Sequence, residues 1–268
     1  TVQTQPSGPA QSCSVTNGNG TVGASNVTNV TVTCATNTYT VGGSVTGLAG
    51  SGLVLSLNAG AQTLPVAANG TFTFPTALAS GSSYAVTVQT QPASPTQTCA
   101  VSNGSGTVVA TSITNIAVNC TTNTYTVGGT VSGLAGTGLV LSLNAGAQTL
   151  PIAANGAFTF PTALASGASY AVTVQTQPAG PVQSCVVSNG TGTVGGANIT
   201  SVSVACSTTQ RTISVVSPGS SFTATPPVPA SVTDGTVLSF AITLTGGARL
   251  QSVTGCGGSL SGNVYTTA

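Results

Sequence analysis

Cysteine is the residue type in this sequence with the most chemistry open to it, and six of the seven cysteines are regularly spaced. They form three pairs whose members lie 21 positions apart: Cys13 and Cys34, Cys99 and Cys120, Cys185 and Cys206. The middle pair brackets QTCAVSNGSGTVVATSITNIAVNC (97–120), which contains no charged side chain, histidine or aromatic ring. Three kinds of site fit such a pair: a metal site, a redox-active dithiol and a structural disulfide.

The spacing and the neighbouring residues favour the structural disulfide. A zinc site needs three or four ligands where each repeat offers two, and a redox motif needs a Cys-x-x-Cys spacing that is missing. Cys99 alternates in phase with Val101. Cys120 alternates in phase with Val118, so both sulfurs are expected to face the core from neighbouring strands. We predict three disulfides, each worth roughly 3 kcal/mol on the chain-entropy estimate, in a protein outside the reducing cytosol.

Cys256 is the seventh cysteine, and it has no equivalent at the spacing of the other six. We predict that it is unpaired within this chain. Its expected partner lies in residues beyond Ala268, and an intermolecular disulfide or a reactive thiol are the alternatives.

The scarcity of charge argues against most active sites. The charged side chains are Arg211, Asp234 and Arg249, and histidine and lysine are absent. General acid–base catalysis and the Ser-His-Asp or Cys-His constellations therefore cannot be assembled within the chain. Calcium, magnesium and zinc sites need more ligands than these, and nucleic-acid binding needs many basic residues. We expect no enzyme activity, no cofactor, no metal and no nucleic-acid partner.

An internal repeat organises the sequence. TVQTQP begins at residues 1, 87 and 173, and TYTVGG begins at residues 38 and 124, so the period is 86 residues. Such a period fits one small self-contained domain better than a solenoid turn. The predicted organisation is the closing part of a repeat, two complete repeats and a different, truncated β-module, at 1–37, 38–123, 124–209 and 210–268.

Short alternating segments predict an all-β fold with seven strands in each repeat. Threonine, serine, glycine, valine and alanine dominate the composition, as is typical of β-proteins with many turns. In the first complete repeat the predicted strands are 38–45, 52–57, 62–68, 70–74, 83–90, 97–101 and 115–120. This pattern predicts tandem immunoglobulin-like β-sandwiches, each with one disulfide inside the domain.

The same alternation assigns core residues and one turn. The side chains expected to share a core are Leu53, Leu55 and Leu57, Phe72 and Phe74, and Tyr84, Val86 and Val88. Asn69-Gly70 lies between two predicted strands. Because both positions tolerate a positive φ, we predict a two-residue hairpin there.

Several motifs resemble functional sites but are assigned structural roles. GNGTVG (18–23) and GTGTVG (190–195) match a dinucleotide fingerprint that needs a following helix, whereas a strand-like segment follows here, so we interpret their glycines as turns. The sequons at Asn19, Asn26, Asn29, Asn69, Asn103, Asn189 and Asn198 matter only in a host that glycosylates them. Recurring tyrosines are predicted to pack in the core rather than form a sugar-binding platform: Tyr39, Tyr84, Tyr125 and Tyr170.

With these residues assigned, a family resemblance can be stated. The repeat TYTVGGTVSGLAGTGLVLSLNAGAQTLPIAANGAFTFPTALASGASYAVTVQTQPAGPVQSCVVSNGTGTV resembles the tandem immunoglobulin-like repeats of large proteobacterial surface or secreted proteins. Its N-G-x-F-x-F and G-x-x-Y-x-V-x-V pieces are similar to carboxypeptidase-regulatory-like and collagen-adhesin B-type modules. The resemblance implies a sandwich spacer, although the Lys-Asn crosslink of some relatives is impossible without lysine. The tail, 212–267, resembles a divergent internalin-B-type repeat.

These observations favour a structural function at the cell surface or outside the cell. A surface with so little charge does not oppose self-association, so we expect the repeats to form a stalk or to polymerise into a filament or sheath. The alternative is an adhesin or glycan-binding module that binds a glycan or a host-surface ligand through the sandwich loops 47–52 and 77–83. Residues 1–37 supply only the last strands of a sandwich, completed by upstream residues or, less favoured, by another subunit. We expect no membrane span in this segment.

Overall fold

The fold is built from β-strands. The computed structural model describes residues 1–213 and, after them, the strand residues 222–225, 230–233, 239–244, 259–261 and 264–266. Every regular element in these described residues is a strand, and most strands belong to paired sheets that form sandwich-like domains. The predicted all-β sandwich class is therefore confirmed.

The chain divides into two compact units. Unit 1 comprises Thr1–Tyr125 with two short later segments, Leu164–Ala168 and Thr193–Ala197. Unit 2 comprises the remainder of the chain. The boundaries drawn from the repeat at residues 37, 123 and 209 stay a prediction.

Unit 1 begins with a two-stranded antiparallel sheet. Its strands are β1 (Gln11–Thr16) and β2 (Thr31–Thr36), and Cys13 lies opposite Cys34 in their register. Alternate residues of β1 are half-buried, whereas every residue of β2 is exposed. This sheet therefore has one partly covered strand and one open strand.

A complete sandwich follows in unit 1. Its strands are β3 (Thr38–Tyr39), β4 (Val41–Thr46), β5 (Leu53–Leu57), β6 (Gln62–Val66), β7 (Gly70–Thr73), β8 (Leu78–Ala79), β9 (Ser83–Thr90), β10 (Gln97–Ser102), β11 (Ser105–Thr107) and β12 (Ile113–Thr122). Two four-stranded sheets have the orders β10-β12-β4-β7 and β11-β9-β5-β6, and β3 pairs separately with β8. The first and last long strands, β4 and β12, are parallel neighbours.

The core of this sandwich lies between the inward faces of the two sheets. Leu53, Leu55 and Leu57 are buried, because β5 is a central strand whose alternate residues face inward. Phe72 and Phe74 meet edge to face with their ring centroids 6.0 Å apart. Tyr84 and Val86 are buried, and Val88 packs against the cluster half-buried. The core assigned from alternation is confirmed.

The predicted strand 38–45 is wrong as one continuous element, since the structure interrupts it at Thr40. The residues before Thr40 pair with β8, and those after it pair with β7 and β12, so the chain changes sheets there. The Thr40 backbone N–H and its hydroxyl both donate to Ser112 Oγ, at 3.3 and 2.9 Å, at this crossing. Two further strands, β8 and β11, were not predicted, because two or three residues are too few to show a period.

The predicted hairpin at Asn69-Gly70 is also wrong. The strand before it, β6, pairs with β5 in one sheet, and the strand after it, β7, pairs with β4 in the other. The segment is therefore a connection between sheets. Gly70 does have a positive φ, at 130°. The Asn69 side chain instead bonds a distant loop, accepting from Leu48 N and donating to Leu48 O, each at 2.8 Å.

Unit 2 contains a second sandwich with the same strand order. Strands of the second complete repeat are β13 (Thr124–Tyr125), β14 (Val127–Ser132), β15 (Leu139–Leu143), β16 (Gln148–Ile152), β17 (Gly156–Thr159), β18 (Leu164–Ala165), β19 (Ser169–Thr176), β20 (Gln183–Ser188), β21 (Thr191–Thr193) and β22 (Ile199–Thr208). The sheets are β17-β14-β22-β20 and β16-β15-β19-β21. Strands β13 and β18 pair with each other and belong to unit 1. Leu139, Leu141, Leu143 and Phe160 are buried in its core.

The tail contributes further strands. They are β23 (Gln210–Ile213), β24 (Phe222–Thr225), β25 (Ala230–Thr233), β26 (Ser239–Leu244), β27 (Ser259–Ser261) and β28 (Val264–Thr266). Strand β23 pairs with β25, and the other four form a sheet in the order β24-β26-β28-β27. Cys256, which we predicted to be unpaired, lies outside the described residues.

Candidate functional site

The three predicted disulfides are present. Each joins two neighbouring antiparallel strands at directly opposed positions, with Cα–Cα distances of 4.0 Å for Cys13–Cys34 and 3.9 Å for Cys99–Cys120 and Cys185–Cys206. Within the complete sandwich of unit 1, Cys99 and Cys120 are both buried, as the alternation predicted. The disulfide interpretation of the cysteine pairs is therefore confirmed.

The first disulfide differs in its surroundings. Cys13 is half-buried and Cys34 is exposed, whereas we expected sulfurs that face a core. The reason is that β1 and β2 form a sheet of two strands, so no second sheet covers the face that carries these cysteines. A covalent link between neighbouring strands is thus kept where the sandwich around it is incomplete.

The first cysteine of each disulfide is hydrogen-bonded through its backbone to a glutamine eight residues earlier in the chain. Gln91 Oε1 accepts from Cys99 N at 2.7 Å, and Gln91 Nε2 donates to Cys99 O at 3.1 Å. Gln5 makes the same pair of bonds to Cys13, and Gln177 makes them to Cys185. The side-chain amide satisfies both backbone groups of the cysteine, so it fixes the start of β10 against the end of β9.

The main geometric feature of each repeat is the parallel pairing of its terminal strands. In unit 1, Val41 at the start of β4 lies opposite Ile113, and Thr46 at its end lies opposite Asn119 of β12. The Thr46 hydroxyl also donates to Asn119 Oδ1 at 2.7 Å. Strands β14 and β22 of unit 2 pair in the same way. A repeat therefore begins and ends on two strands that run side by side in one direction.

The close approach of β4 to β12 depends on glycine. A Cβ placed on Gly43 would lie 1.8 Å from the carbonyl oxygen of Ile116, which no side chain allows. The ladder also shifts register between Ile113 and Ile116, so the pairing is irregular just before this point. Gly129 faces Val202 O in unit 2 at the same distance. Gly43 is thus a requirement of the strand pairing.

A buried glutamine forms the most connected polar site. Gln97 is 2% exposed, and its Oε1 accepts from Ala49 N at 2.8 Å and from Gly50 N at 2.7 Å. Its Nε2 donates to Gly47 O at 2.8 Å and to Thr122 Oγ1 at 3.2 Å. One side chain therefore holds the loop after β4 against the sheet, where buried polar atoms need partners.

Sequence reasoning missed this glutamine. Gln183 in unit 2 repeats its three loop contacts, to Ala135 N, Gly136 N and Gly133 O, each at 2.8 Å. The signal was the tripeptide Gln-x-Cys, which recurs at each first cysteine. At the equivalent position in 1–37, Gln11 Nε2 donates to Thr36 Oγ1 at 3.2 Å.

The loops that a binding module would use are engaged in the fold itself. Loop 47–52 is fixed by Gln97 and by Asn69 through backbone hydrogen bonds. Loop 77–83 contains the buried Ser80 and includes strand β8. Neither loop contains an aromatic ring or a charged side chain. Leu48 and Leu78 are their larger apolar side chains, and the remaining side chains are small.

The recurring tyrosines and one of the glycine motifs lie in the structural settings that were predicted for them. Tyr84 and Tyr170 are buried, which confirms their packing in the core, and Tyr39 and Tyr125 are half-buried. The glycine motif at 190–195 contains the strand β21 rather than a helix start. Among the described residues, no group of three or more His, Cys, Asp or Glu side chains is placed to hold a metal ion.

An exposed apolar surface lies on residues 1–37. Val22 and Val32 are 78% and 59% exposed, whereas their equivalents in the complete repeat, Val108 and Val118, are both 0% exposed. A cavity of about 620 Å³ is lined by residues from 17–22, Val22 among them, and from 26–30. In the complete repeat, the segment equivalent to 19–21 is β11, which pairs with β9. Residues that elsewhere form a core are therefore open here.

A helix able to cross a membrane is not found among the residues that the structure describes.

Solved structures similar to this chain include two bacterial proteins, both at low sequence identity. No family model and no curated protein matches the chain. The Bacillus anthracis TIE protein is 10% identical with a TM-score of 0.48, over 89% of this chain and 50% of its own length, so this chain spans half of that protein. The major pilin protein (T-13) of Streptococcus pyogenes is 13% identical with a TM-score of 0.22, over 64% of this chain and 97% of its own. Similarities this limited say nothing about the function of the chain.

Proposed function

We propose that this chain is a non-catalytic, load-bearing structural protein outside the cell, whose repeats carry tension along a surface stalk or filament. The observation that carries the proposal is the parallel pairing of β4 and β12. Disulfides within the repeats support the location, because they persist in oxidising surroundings and are rare in a reducing cytosol.

Because its terminal strands are parallel, a repeat that is pulled at both ends is loaded in shear, the direction in which a pair of strands resists force best. Force along the chain enters the repeat near Val41 and leaves it near Thr122. Because β4 and β12 run in the same direction, these two points lie at opposite ends of their ladder, and tension slides one strand along the other. Sliding strains all the ladder hydrogen bonds together, whereas peeling a hairpin breaks them one at a time. Forced unfolding is governed by the unfolding rate, which this arrangement slows.

The disulfide adds a covalent limit to the same element. Cys99–Cys120 ties β12 to β10, so the strand that bears the load is bonded on one edge to β4 and crosslinked on the other. If β4 slides free, the loop between the two cysteines still cannot extend. The disulfide therefore limits how far an overloaded repeat lengthens.

Single-molecule pulling tests the proposal. We would compare the oxidised chain with Gly43→Ala, in which the new methyl group meets Ile116 O and pushes β4 from β12. Gly23→Ala is the matched control, because a Cβ on Gly23 has no atom within 4 Å. We expect one of the two discrete rupture events of the complete repeats to move to lower force in Gly43→Ala alone. Extension of the unchanged chain at low force, without discrete ruptures, would refute the load-bearing function.

Self-association is a second part of the proposal, and the scarcity of charge favours it. We propose that copies of the chain pack against one another through their sandwiches. Residues 1–210 carry no charged side chain that would oppose such a contact.

The test is the mass of the oxidised chain in solution at increasing protein concentration. We expect the mass to rise with concentration and to depend little on salt, because residues 1–210 carry no charged side chain for salt to screen. A chain that stays monomeric at high concentration would refute self-association.

The described residues offer nothing that favours the glycan-binding alternative, because the loops it requires are occupied by contacts within the fold.

A further inference from the structure

Two buried serines lie outside both sandwich cores and recur at the repeat spacing. Ser80 and Ser166 are each 6% exposed, and each follows a two-residue strand in the sequence Leu-Ala-Ser-Gly. A serine hydroxyl offers one donor and two acceptor positions, and a buried one needs partners. Their partners show what these serines do.

Ser80 connects residues 1–37 to the sandwich that follows. Its Oγ accepts from Ala10 N at 3.0 Å and donates to Val109 O. Its backbone N–H donates to Asn37 O at 2.8 Å. Ala10 itself is buried, at 6% exposure. The hydroxyl therefore lies between the turn before β1 and a loop of the sandwich.

The residue after the serine allows the turn before β1 to come close. Gly81 has a φ of +90°, and its N–H donates to Val108 O at 2.7 Å. A Cβ placed on Gly81 would lie 3.6 Å from Pro9 Cβ, so the proline ring rests directly on this glycine. A longer side chain would be strained by the positive φ and would push the proline away.

The same contact is present a second time. Ser166 Oγ accepts from Thr96 N at 3.0 Å, and Ser166 N donates to Asn123 O at 2.8 Å. A Cβ placed on Gly167 would lie 3.4 Å from Pro95 Cβ. All of these residues, like those around Ser80, belong to unit 1. The serine thus repeats two of its hydrogen bonds, one through Oγ and one through its backbone N–H, and the glycine repeats its contact with a proline, which makes a chance contact a poor explanation.

We infer that the Leu-Ala-Ser-Gly turn of each repeat is a docking site for the turn before the first cysteine strand of the preceding repeat. The partner that fits it presents a proline, a backbone N–H one residue later, and the carbonyl oxygen of the residue that follows the second cysteine strand. The joint between successive repeats is thus a specific polar contact rather than a free linker. This inference holds whether or not the chain carries tension.

Amide hydrogen exchange, measured by NMR on the intact oxidised chain, tests the inference. In the unchanged chain, the Ala10 and Thr96 amides are expected to be protected. Ser80→Ala removes the oxygen that accepts from the Ala10 amide and leaves the acceptor of the Thr96 amide intact. Exchange of the Ala10 amide should therefore rise about tenfold or more, while the Thr96 amide stays protected. Ser166→Ala should give the reverse, and Ser44→Ala, at an exposed position of β4, should change neither.

The reciprocal pattern separates docking from general destabilisation. A loss of stability alone would raise exchange at both amides in either variant, which would overturn the inference. Exchange of Ala10 and Thr96 at unprotected rates in the unchanged chain would overturn it as well. Neither result depends on the rupture force of a single sandwich, so docking and load-bearing stand or fall separately.

Discussion

Reduction of the disulfides should lengthen the extension released when a repeat ruptures. In the oxidised chain, the residues between Cys99 and Cys120 are held in a covalent loop and add nothing to the extended length. Reduction frees them after the sandwich ruptures. Reduction leaves the parallel pairing of β4 and β12 in place. It therefore tests whether the disulfide limits the extended length of a repeat, and not how the strand pair resists force.

The size of the change follows from the loop. The two cysteines are 21 positions apart, and their Cα atoms are 3.9 Å apart when bonded. At about 3.6 Å per extended residue, the freed segment spans about 75 Å. Subtracting the bonded separation leaves an increase of about 70 Å per repeat. The pair Cys185–Cys206 has the same separation, so the second complete repeat should gain the same length.

The assay is single-molecule pulling with and without a thiol reductant. Oxidised chains should show two short rupture increments, and reduced chains should show two that are each longer by about 70 Å. Replacing Cys99 and Cys120 by serine should give one long and one short increment without reductant. The matched control replaces Cys13 and Cys34 by serine, which should leave both increments short. Equal increments before and after reduction would refute the reasoning, because the loop would then extend despite the crosslink.

Two further predictions concern stability. Gln97→Ala should lower the free energy of unfolding by about 2–4 kcal/mol in urea titrations, because buried backbone groups lose their hydrogen-bond partner. The control Gln11→Ala should change that free energy by less than about 0.5 kcal/mol. Equal effects would contradict the conclusion that Gln97 holds the loop after β4 against the sheet. The free energy of unfolding of residues 38–209 should vary by less than about 0.5 kcal/mol between pH 4 and pH 8, because that segment has no carboxylate, imidazole, lysine or arginine through which protons can link to folding. A marked acid transition in the denaturation midpoint would show that proton binding enters by another route.

Patterns that repeat over a few neighbouring residues were sufficient to predict the core and the disulfides. Leu53, Leu55 and Leu57 share a face because side chains alternate along any strand, whatever the strand pairs with. Cys99 and Cys120 were placed by the same rule. Strand alternation is a local property, so it can be read before the fold is known.

Features set by pairing between distant segments were mispredicted or missed. Asn69-Gly70 suits a tight hairpin, but the strands on either side belong to different sheets, which no local signal reveals. Gln97 acts on backbone atoms 47 to 50 positions away, and Ser80 acts on backbone atoms 29 and 70 positions away. A single polar residue carries no period, so the one signal available for these two was their recurrence every 86 residues, in Gln-x-Cys and Leu-Ala-Ser-Gly.

The docking serines make the stability of a repeat depend on its neighbours. In an array of such domains, the total free energy is the sum of an intrinsic value for each repeat and one term for each junction. A repeat between two others has two junctions, and one at an end has one. Lengthening the array therefore raises the average stability without any change inside a sandwich. Unfolding should start at the ends of the array. The number of repeats that the gene encodes therefore sets the average stability of the array.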